Sequence, residues 1–499
     1  MTRADGPAKS TGWDILKSRV IDENLCTRCG SCVGVCPRQA LTFEDPLGDC
    51  LPTLIGDCSG CDAPCLVGCP GLDVDFPRLT EFVFPGQESD FLLGVTKGQY
   101  IAYSSDPHVR SQAASGGVIT SINQHLLETG QVDGVATLIV TDDDPLRPKP
   151  VIATDAETLL LAQQSKYSIA PLNTIMAELE SFQGVVSMVA LPCQVHSIRK
   201  LQAAGHSEAV GKIKVLIGSY CGTLMHFQAI TDLLGKFGVH DLKEVTKLEY
   251  RAGEWPGKTR ITLADGRVHE LGKFYANYMN LLYPVERCLT CTDLTSEFAD
   301  ISGGDAWAPV YEERGQGFSL LVTRTEIGEQ IVQECVAKGK IVVAESITRE
   351  AAITMHSHGL DNKKNGGFLR IQHRKILRKT TPEYGYSPRQ VTHLRKALAI
   401  PITVALMMGQ TRIMRWFVLL LPLNLVGAAF KRLRVLWKKW TSPERKKGIL
   451  GFQATTYPIV DQMVEEFNQA RVGAVGGSRR HEGAGGPGAD ASSVVPGPR

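Results

Sequence analysis

Cys26-Thr27-Arg28-Cys29-Gly30-Ser31-Cys32-Val33-Gly34-Val35-Cys36-Pro37 is followed by a stretched copy, Cys58-x2-Cys61-x3-Cys65-x3-Cys69-Pro70. The first run has the C-x2-C-x2-C-x3-C-P spacing with which bacterial ferredoxins hold 4Fe–4S clusters. Each corner iron needs one thiolate. Three cysteines on a tight turn reach three corners, while the cysteine before proline starts a helix and points to the other cluster. Zinc sites use paired C-x2-C knuckles rather than two runs of four closing in Cys-Pro. Cys26, Cys29, Cys32, Cys36, Cys58, Cys61, Cys65 and Cys69 are therefore expected to bind two 4Fe–4S clusters. They define a ferredoxin-like module over residues 18–80, with Cys50 left as a structural thiol.

Working outward, the chain has 499 residues, 43% hydrophobic and 21% charged, enough for two or three domains with cores of their own. No apolar run approaches the roughly 18 residues that would mark a membrane span. The opening MTRADGPAKSTGW lacks the apolar centre of a secretory signal. The expectation is a cytoplasmic location, where thiols stay reduced and cysteines serve as ligands or buried residues rather than disulfides.

Residues 90–347 alternate strand-like and helix-like patterns. Val185–Leu191 and Ile213–Ile217 are compact apolar runs. The first precedes Val195, Ile198 and Leu201, and the second Phe227, Ile230, Leu233 and Leu234, all at helical spacing. This alternation predicts an α/β domain with a buried sheet, giving a mixed α+β and α/β chain overall. Cys193 and Cys221 follow the two predicted strands, and the carboxyl ends of such strands face a common crevice. Cys288-x2-Cys291 could bring two more thiolates there. By spacing alone, four unrelated buried cysteines are an equal reading. Cys335 sits on a helical apolar pattern and is expected in the core.

Charge is unevenly spread. Between Lys363 and Lys447 there are 20 lysines and arginines against Glu383 and Glu444, while the rest of the chain holds 34 basic residues against 50 acidic. Residues 348–471 read as a basic, mostly helical region broken at Pro388, Pro401 and Pro422. Its apolar stretches Ala397–Met408 and Trp416–Phe430 are flanked by basic residues and by Trp437 and Trp440. Three readings stay open: peripheral contact with anionic lipid through residues 397–440, a helical subdomain packed on the core with a solvated basic face, or a dock for an acidic partner protein. No nucleic-acid motif accompanies the charge. Residues 472–499 are too poor in large apolar side chains to order and are expected to form a disordered tail.

Several blocks, in order, resemble the coenzyme F420 hydrogenase/dehydrogenase beta-subunit family. They are Arg110–Thr120 with Ser115-Gly116-Gly117, Ser165-Lys166-Tyr167-Ser168, Leu191-Pro192-Cys193-Gln194, Cys221-Gly222, Cys288-x2-Cys291 and Ala299–Trp307. The likeness spans roughly residues 26 to 310 and stops by about residue 350. It implies an iron–sulphur flavoprotein with FAD in residues 90–347 and a third 4Fe–4S cluster on Cys193, Cys221, Cys288 and Cys291. Family members include F420-reducing beta subunits and ferredoxin-dependent tetrapyrrole reductases, namely 7-hydroxymethyl chlorophyll a reductase and one type of 8-vinyl reductase.

On the residues alone, Ser115-Gly116-Gly117 is as readily an ordinary loop before the helix VITSINQHLL. Under the resemblance, the FAD pyrophosphate would lie at Ser115, Gly116, Gly117, Val118 and Thr120, where glycines permit close approach and free helix amides favour an anion. Ser165, Lys166 and Tyr167 would border the flavin, Lys166 as a counter-charge and Tyr167 as a stacking or hydrogen-bonding ring. No strand-linked G-x-G-x-x-G supports a nicotinamide site. Asp305 and Trp307 could serve packing or flavin, and His196 is a candidate proton donor. The resulting expectation is an oxidoreductase passing electrons between clusters and a two-electron substrate at FAD, either F420 or an unsaturated molecule such as a tetrapyrrole. A ferredoxin or another redox protein would be its partner. The rival is a relay subunit that only shuttles electrons inside a larger complex.

Overall fold

The computed structural model describes residues 11–441, apart from residues 46, 313, 314, 389 and 390. In chain order the strands are β1 (Leu41–Phe43), β2 (Pro52–Leu54), β3 (Gly98–Ser104), β4 (Gly134–Thr141), β5 (Asp144–Ala153), β6 (Val186–Ala190) and β7 (Ile213–Ser219). They continue with β8 (Val245–Ala252), β9 (Lys258–Leu263), β10 (Val268–Gly272), β11 (Ile301–Asp305), β12 (Ser319–Thr323) and β13 (Ile341–Ser346).

β1 and β2 form a small antiparallel ribbon between the two cysteine runs. β8, β9 and β10 form a three-stranded antiparallel sheet. The other eight strands make one sheet in the order β13-β3-β12-β11-β7-β6-β4-β5. Its centre, β11-β7-β6-β4, is parallel, and both flanks are antiparallel.

The apolar runs become the buried middle of that sheet. Val186 and Met188 of β6 and Ile217 of β7 are fully buried, as a parallel sheet covered on both faces requires. The helix α1 (Val118–Glu128) follows β3, and α2 (Pro192–Ala203) follows β6. α2 buries Val195, Ile198 and Leu201, the three positions whose spacing marked it as helical. Cys335 is fully buried beside Ile331 and Val332, and Cys50 is fully buried beside Leu224 and Val285.

The C-terminal helices are α3 (Arg349–Ile376), α4 (His393–Gly409), α5 (Arg412–Leu420) and α6 (Leu423–Thr441). Two features differ from the sequence reading. Pro401 does not break its helix but lies inside α4 on an exposed position, costing one main-chain hydrogen bond without ending the element. The break falls instead after Gly409, where the Thr411 hydroxyl accepts from the Met414 amide and starts α5.

Packing also crosses the divisions drawn near residues 80–90 and 347. The Val74 amide donates to the Glu383 carbonyl at 2.7 Å, and α3 buries Leu360, Lys363, Lys364 and Phe368 against the body. The expected disordered tail, and the part of the basic region after residue 441, lie outside the described residues.

Candidate functional site

β3, β6, β7 and β11 run the same way, so their carboxyl ends open on one side of the sheet. The chain after each end supplies part of the site. β6 leads into Leu191-Pro192-Cys193, with Pro192 at the first position of α2 and its φ suited to a helix start. β7 leads into Tyr220-Cys221-Gly222. The Tyr220 amide donates to Gly303 and the Cys221 amide to Leu294, fixing that turn against β11 and the loop before it. Cys288 lies in the 3-10 turn Glu286–Thr290, and Cys291 follows it. All four cysteines line one small cavity, together with Thr27 and Pro70 from the two N-terminal runs. The fold therefore gathers the dispersed thiols and sets them against the ferredoxin-like segment.

The N-terminal runs are interleaved. Burial raises the Cys69 thiol to about 12, and the charges of Cys29 and Cys26 push it the same way. Cys65 is raised to about 12 by burial and then by Cys58 and Cys61, with Cys36 also contributing. Cys69 thus stands with the first run and Cys36 near the second, as expected when the fourth cysteine of each run crosses to the other cluster. Lys200 Nζ donates to the Cys69 carbonyl at 2.9 Å and Arg287 donates to the Pro70 carbonyl at 2.7 Å, tying the second run to the sheet domain.

The donor set fits iron–sulphur clusters chemically. Cys193 is raised well above the ordinary thiol value by burial, then by Cys29, Cys221, Cys288 and Cys291. Such crowded thiols resist ionisation until a cationic centre offsets their charge. Among the described residues, no group of three His, Cys, Asp or Glu side chains is arranged to hold a metal ion. A four-iron cube spreads its ligands around its corners.

One cation enters this cavity from an unexpected direction. Lys363 of α3 is buried and lines the thiol cavity, with Nζ donating to the Cys288 carbonyl at 3.4 Å. Burial favours its neutral form, but Cys291, Cys288 and Cys221 outweigh that and hold the ammonium well above its ordinary range. The sequence reading assigned Lys363 to a surface-facing basic region. Nothing in its neighbouring residues distinguishes it from the solvated lysines farther on. Only the packing of α3 over Cys288–Cys291 reveals it.

A second, much larger cleft of about 1560 Å³ begins at Cys221 and Cys288 and extends along the carboxyl edge of the sheet. Ser115, Gly117, Val118, Thr120, Ser165, Lys166 and Tyr167 all line it. Gly117, with φ of +79°, caps α1 in the left-handed region with no side-chain cap, and the first turn of α1 lines the cleft with amides that lack helical partners. Gly116 does not line it. A Cβ there would lie 2.6 Å from the Ala102 carbonyl oxygen, so this glycine serves the packing of the turn on β3 and β12 rather than approach to a ligand. The Ser115 hydroxyl donates to the Phe318 carbonyl at 2.7 Å, which fastens the same turn. The cradle has the shape and free amides an anionic group needs.

Lys166 is anchored more than the sequence reading implied. Its Nζ donates to the carbonyls of Ala162 and Gln163 at 2.5 and 2.7 Å, and burial lowers it to about 7. Tyr167 faces cations that its sequence neighbourhood does not contain. Burial raises its hydroxyl, but Lys273 and Arg251 lower it further, so the net shift is downward. Arg251 donates to both Asp305 oxygens at 3.1 Å, and Trp255 Nε1 donates to Oδ1 at 3.1 Å. Burial disfavours the Asp305 carboxylate, but Arg251 and Lys273 outweigh it and hold the group well below the usual carboxylate range. Asp305 is thus the electrostatic partner of a basic cleft wall. Arg251 is the penultimate residue of β8 and Lys273 follows β10, elements whose sequences carry no motif, so neither was legible beforehand.

His196 is not on the large cleft. It lines the thiol cavity, hydrogen-bonded to Asp293 at 2.9 Å and packed edge-on against Phe76 and Phe298. Burial lowers it, outweighing Asp293. Its place makes it a neighbour of the gathered thiols rather than a proton donor to a substrate in the cleft. His356 and His358 of α3 line the cleft instead.

Comparison with known proteins agrees with this geometry. Two family models describe the two halves of the "Coenzyme F420 hydrogenase/dehydrogenase, beta subunit". Residues 99–177 match the amino-terminal model, and residues 184–348 match the carboxyl-terminal one. The chain belongs to the coenzyme F420 hydrogenase/dehydrogenase beta-subunit family. Residues 19–42 match a 4Fe-4S binding domain, covering the first cysteine run.

Among relatives in this family is the coenzyme F420-dependent sulfite reductase of Methanocaldococcus jannaschii, 28% identical over 63% of this chain and 46% of that protein. An F(420)H(2) dehydrogenase subunit of Methanosarcina mazei is 28% identical over 63% of this chain and 83% of its own length. The beta subunit of the coenzyme F420 hydrogenase of Methanosarcina barkeri is 27% identical over 48% of this chain and 81% of its own. The match spans less than half of the sulfite reductase.

Proposed function

We propose that this chain is an iron–sulphur flavoprotein oxidoreductase, exchanging electrons between three 4Fe–4S clusters and a two-electron substrate in the large cleft. The observation that carries the reading is the shared wall. Cys221 and Cys288 line both the thiol cavity and the cleft that contains the Ser115–Thr120 turn, Lys166 and Tyr167. One face of this wall gathers thiolates, and the other offers free helix amides beside a basic edge.

Cys26, Cys29, Cys32 and Cys69 would hold one cluster. Cys58, Cys61, Cys65 and Cys36 would hold a second, and Cys193, Cys221, Cys288 and Cys291 a third. FAD would lie along Ser115, Gly117, Val118 and Thr120. Clusters and flavin together supply conversion between single electrons and electron pairs. The protein's own contribution is positional and electrostatic. The α1 amides bind an anionic group, and the Arg251–Asp305–Lys273 network fixes a positive edge beside Tyr167. Lys363 offsets thiolate charge beside Cys288.

The substrate classes that fit are coenzyme F420 itself, an anionic deazaflavin suited to the basic edge, and an unsaturated small molecule such as a tetrapyrrole. The names of the relatives favour F420. A ferredoxin or another redox protein would meet the N-terminal module. The second reading, a relay subunit, is favoured by the fact that two of the relatives are named as subunits. Adding reduced F420 to the anaerobic, isolated chain separates the two. Bleaching of its visible absorbance, followed by turnover with an artificial acceptor, supports the enzyme; turnover only after a partner protein is added supports the relay.

A further inference from the structure

We infer that the outer face of α4, α5 and α6 docks on an anionic lipid surface. This inference stands apart from the redox reading. The inner sides of these helices are settled on the body. α4 buries Ala399, Thr403, Leu406 and Gly409, and α5 buries Val418. Lys236 Nζ donates to the Leu419 and Leu421 carbonyls at 2.8 and 2.6 Å, pinning the end of α5. Gly427 of α6 lies so close to Tyr275 that a Cβ there would sit 2.1 Å from the ring. The orientation of the outer face therefore follows from packing.

That face is apolar where water should be. Ile413 is 80% exposed, and Trp416 and Leu420 are each 63% exposed, with Ile400, Phe417 and Leu425 also above half. Isolated exposed apolar side chains are ordinary, but a run of them over three consecutive helices marks an interaction surface.

The charge around it selects the occupant. Residues 391–441 contain no aspartate or glutamate. Lys396, Arg412, Lys431 and Arg432 are exposed around the apolar positions. An apolar face on a segment whose own charges are all cationic, with an exposed tryptophan, complements a bilayer interface with anionic headgroups. No single described helix is long and apolar enough to cross a membrane, and α4 and α5 meet at a 78° bend. The geometry fits lying on the surface. The same helices contribute Leu398, Leu406, Phe430 and Trp437 to the wall of the large cleft, so docking sets that end of the cleft beside the lipid.

The test uses the full-length protein, purified anaerobically, and vesicles of phosphatidylcholine with or without phosphatidylglycerol. Co-sedimentation should require phosphatidylglycerol and weaken as salt is raised. Arg412→Glu combined with Lys431→Glu should reduce binding at least about tenfold. Trp416→Ser combined with Phe417→Ser should reduce it comparably, with the visible absorbance of both variants unchanged as the check on folding. Failure to pellet with either vesicle, or equal binding to both, would overturn the inference. So would binding to polyglutamate but not to vesicles, which would assign the face to an acidic protein. A lipid-free dimer that Trp416→Ser and Phe417→Ser dissociate would assign it to a second copy of the chain.

Discussion

The two thiol regions of this protein are built in opposite ways. The N-terminal cysteines are close in sequence, carried on the short turns Ser31–Gly34 and Pro64–Val67 with a small ribbon between them. The second region draws Cys193, Cys221, Cys288 and Cys291 from a helix start, a loop and a 3-10 turn spread over almost a hundred residues, and a parallel sheet brings them together. The first is a local device that a short peptide pattern specifies. The second exists only when the sheet has formed, which makes it a property of topology. A local site can tolerate changes in the surrounding domain. A topological one depends on everything that positions the strand ends, including the distant helix α3.

The most damaging way to probe this difference is Cys193→Ala. It should remove the cluster of the dispersed region alone, lowering iron by roughly four atoms per chain while the N-terminal clusters keep theirs. Iron analysis with electron paramagnetic resonance of the reduced protein reads both quantities. Loss of all iron would mean that the two regions assemble as one.

Asp305→Asn comes next. It leaves Arg251 and Lys273 facing each other in a largely buried wall, and breaking such a pair costs about 3 kcal/mol. Chemical denaturation should show this destabilisation, with the N-terminal clusters unaffected in the folded protein.

Lys363→Met should weaken retention of the third cluster by roughly tenfold, because it deletes one of the two cations, with Arg287, beside Cys288 and leaves the N-terminal sets untouched. The rate of iron loss to a chelator measures it, and an unchanged rate would remove Lys363 from the site.

The smallest effect concerns pH. Burial places Lys166 at about 7, so its positive charge is present below that value and lost as pH rises through it. FAD affinity should therefore fall between pH 6 and pH 8, by roughly fivefold for one charge-assisted contact. Lys166→Met should flatten that change. Fluorescence titration of the flavin-depleted protein follows both.

Legibility in the sequence follows the same divide. The ferredoxin-type spacing exposed eight candidate ligands because each run is one tight turn. The strands β6 and β7, and the helices after them, were readable because burial on one face leaves periodic apolar residues such as Val195, Ile198 and Leu201. The convergence of Cys193 and Cys221 could be anticipated from strand ends, but their union with Cys288 and Cys291 needed the family resemblance.

What stayed hidden were residues whose role arises from packing between distant elements. Lys363 looks like any other lysine in a basic segment until α3 lies over Cys288. Arg251 and Lys273 come from a side sheet with no motif, and join Asp305 and Tyr167 only in three dimensions. Gly116 was ambiguous in a different way. A glycine beside a helix start can serve a ligand or a crowded turn, and only the nearby Ala102 carbonyl decides between them.

The account's central claim is most directly tested by cofactor content. The full-length protein, isolated without oxygen and reconstituted with iron and sulphide, should hold about twelve irons in three four-iron clusters and one extractable FAD per chain. About eight irons and no flavin would contradict it, because the ferredoxin-like module would then be the whole of the redox machinery and the gathered thiols beside the cleft would be empty of purpose.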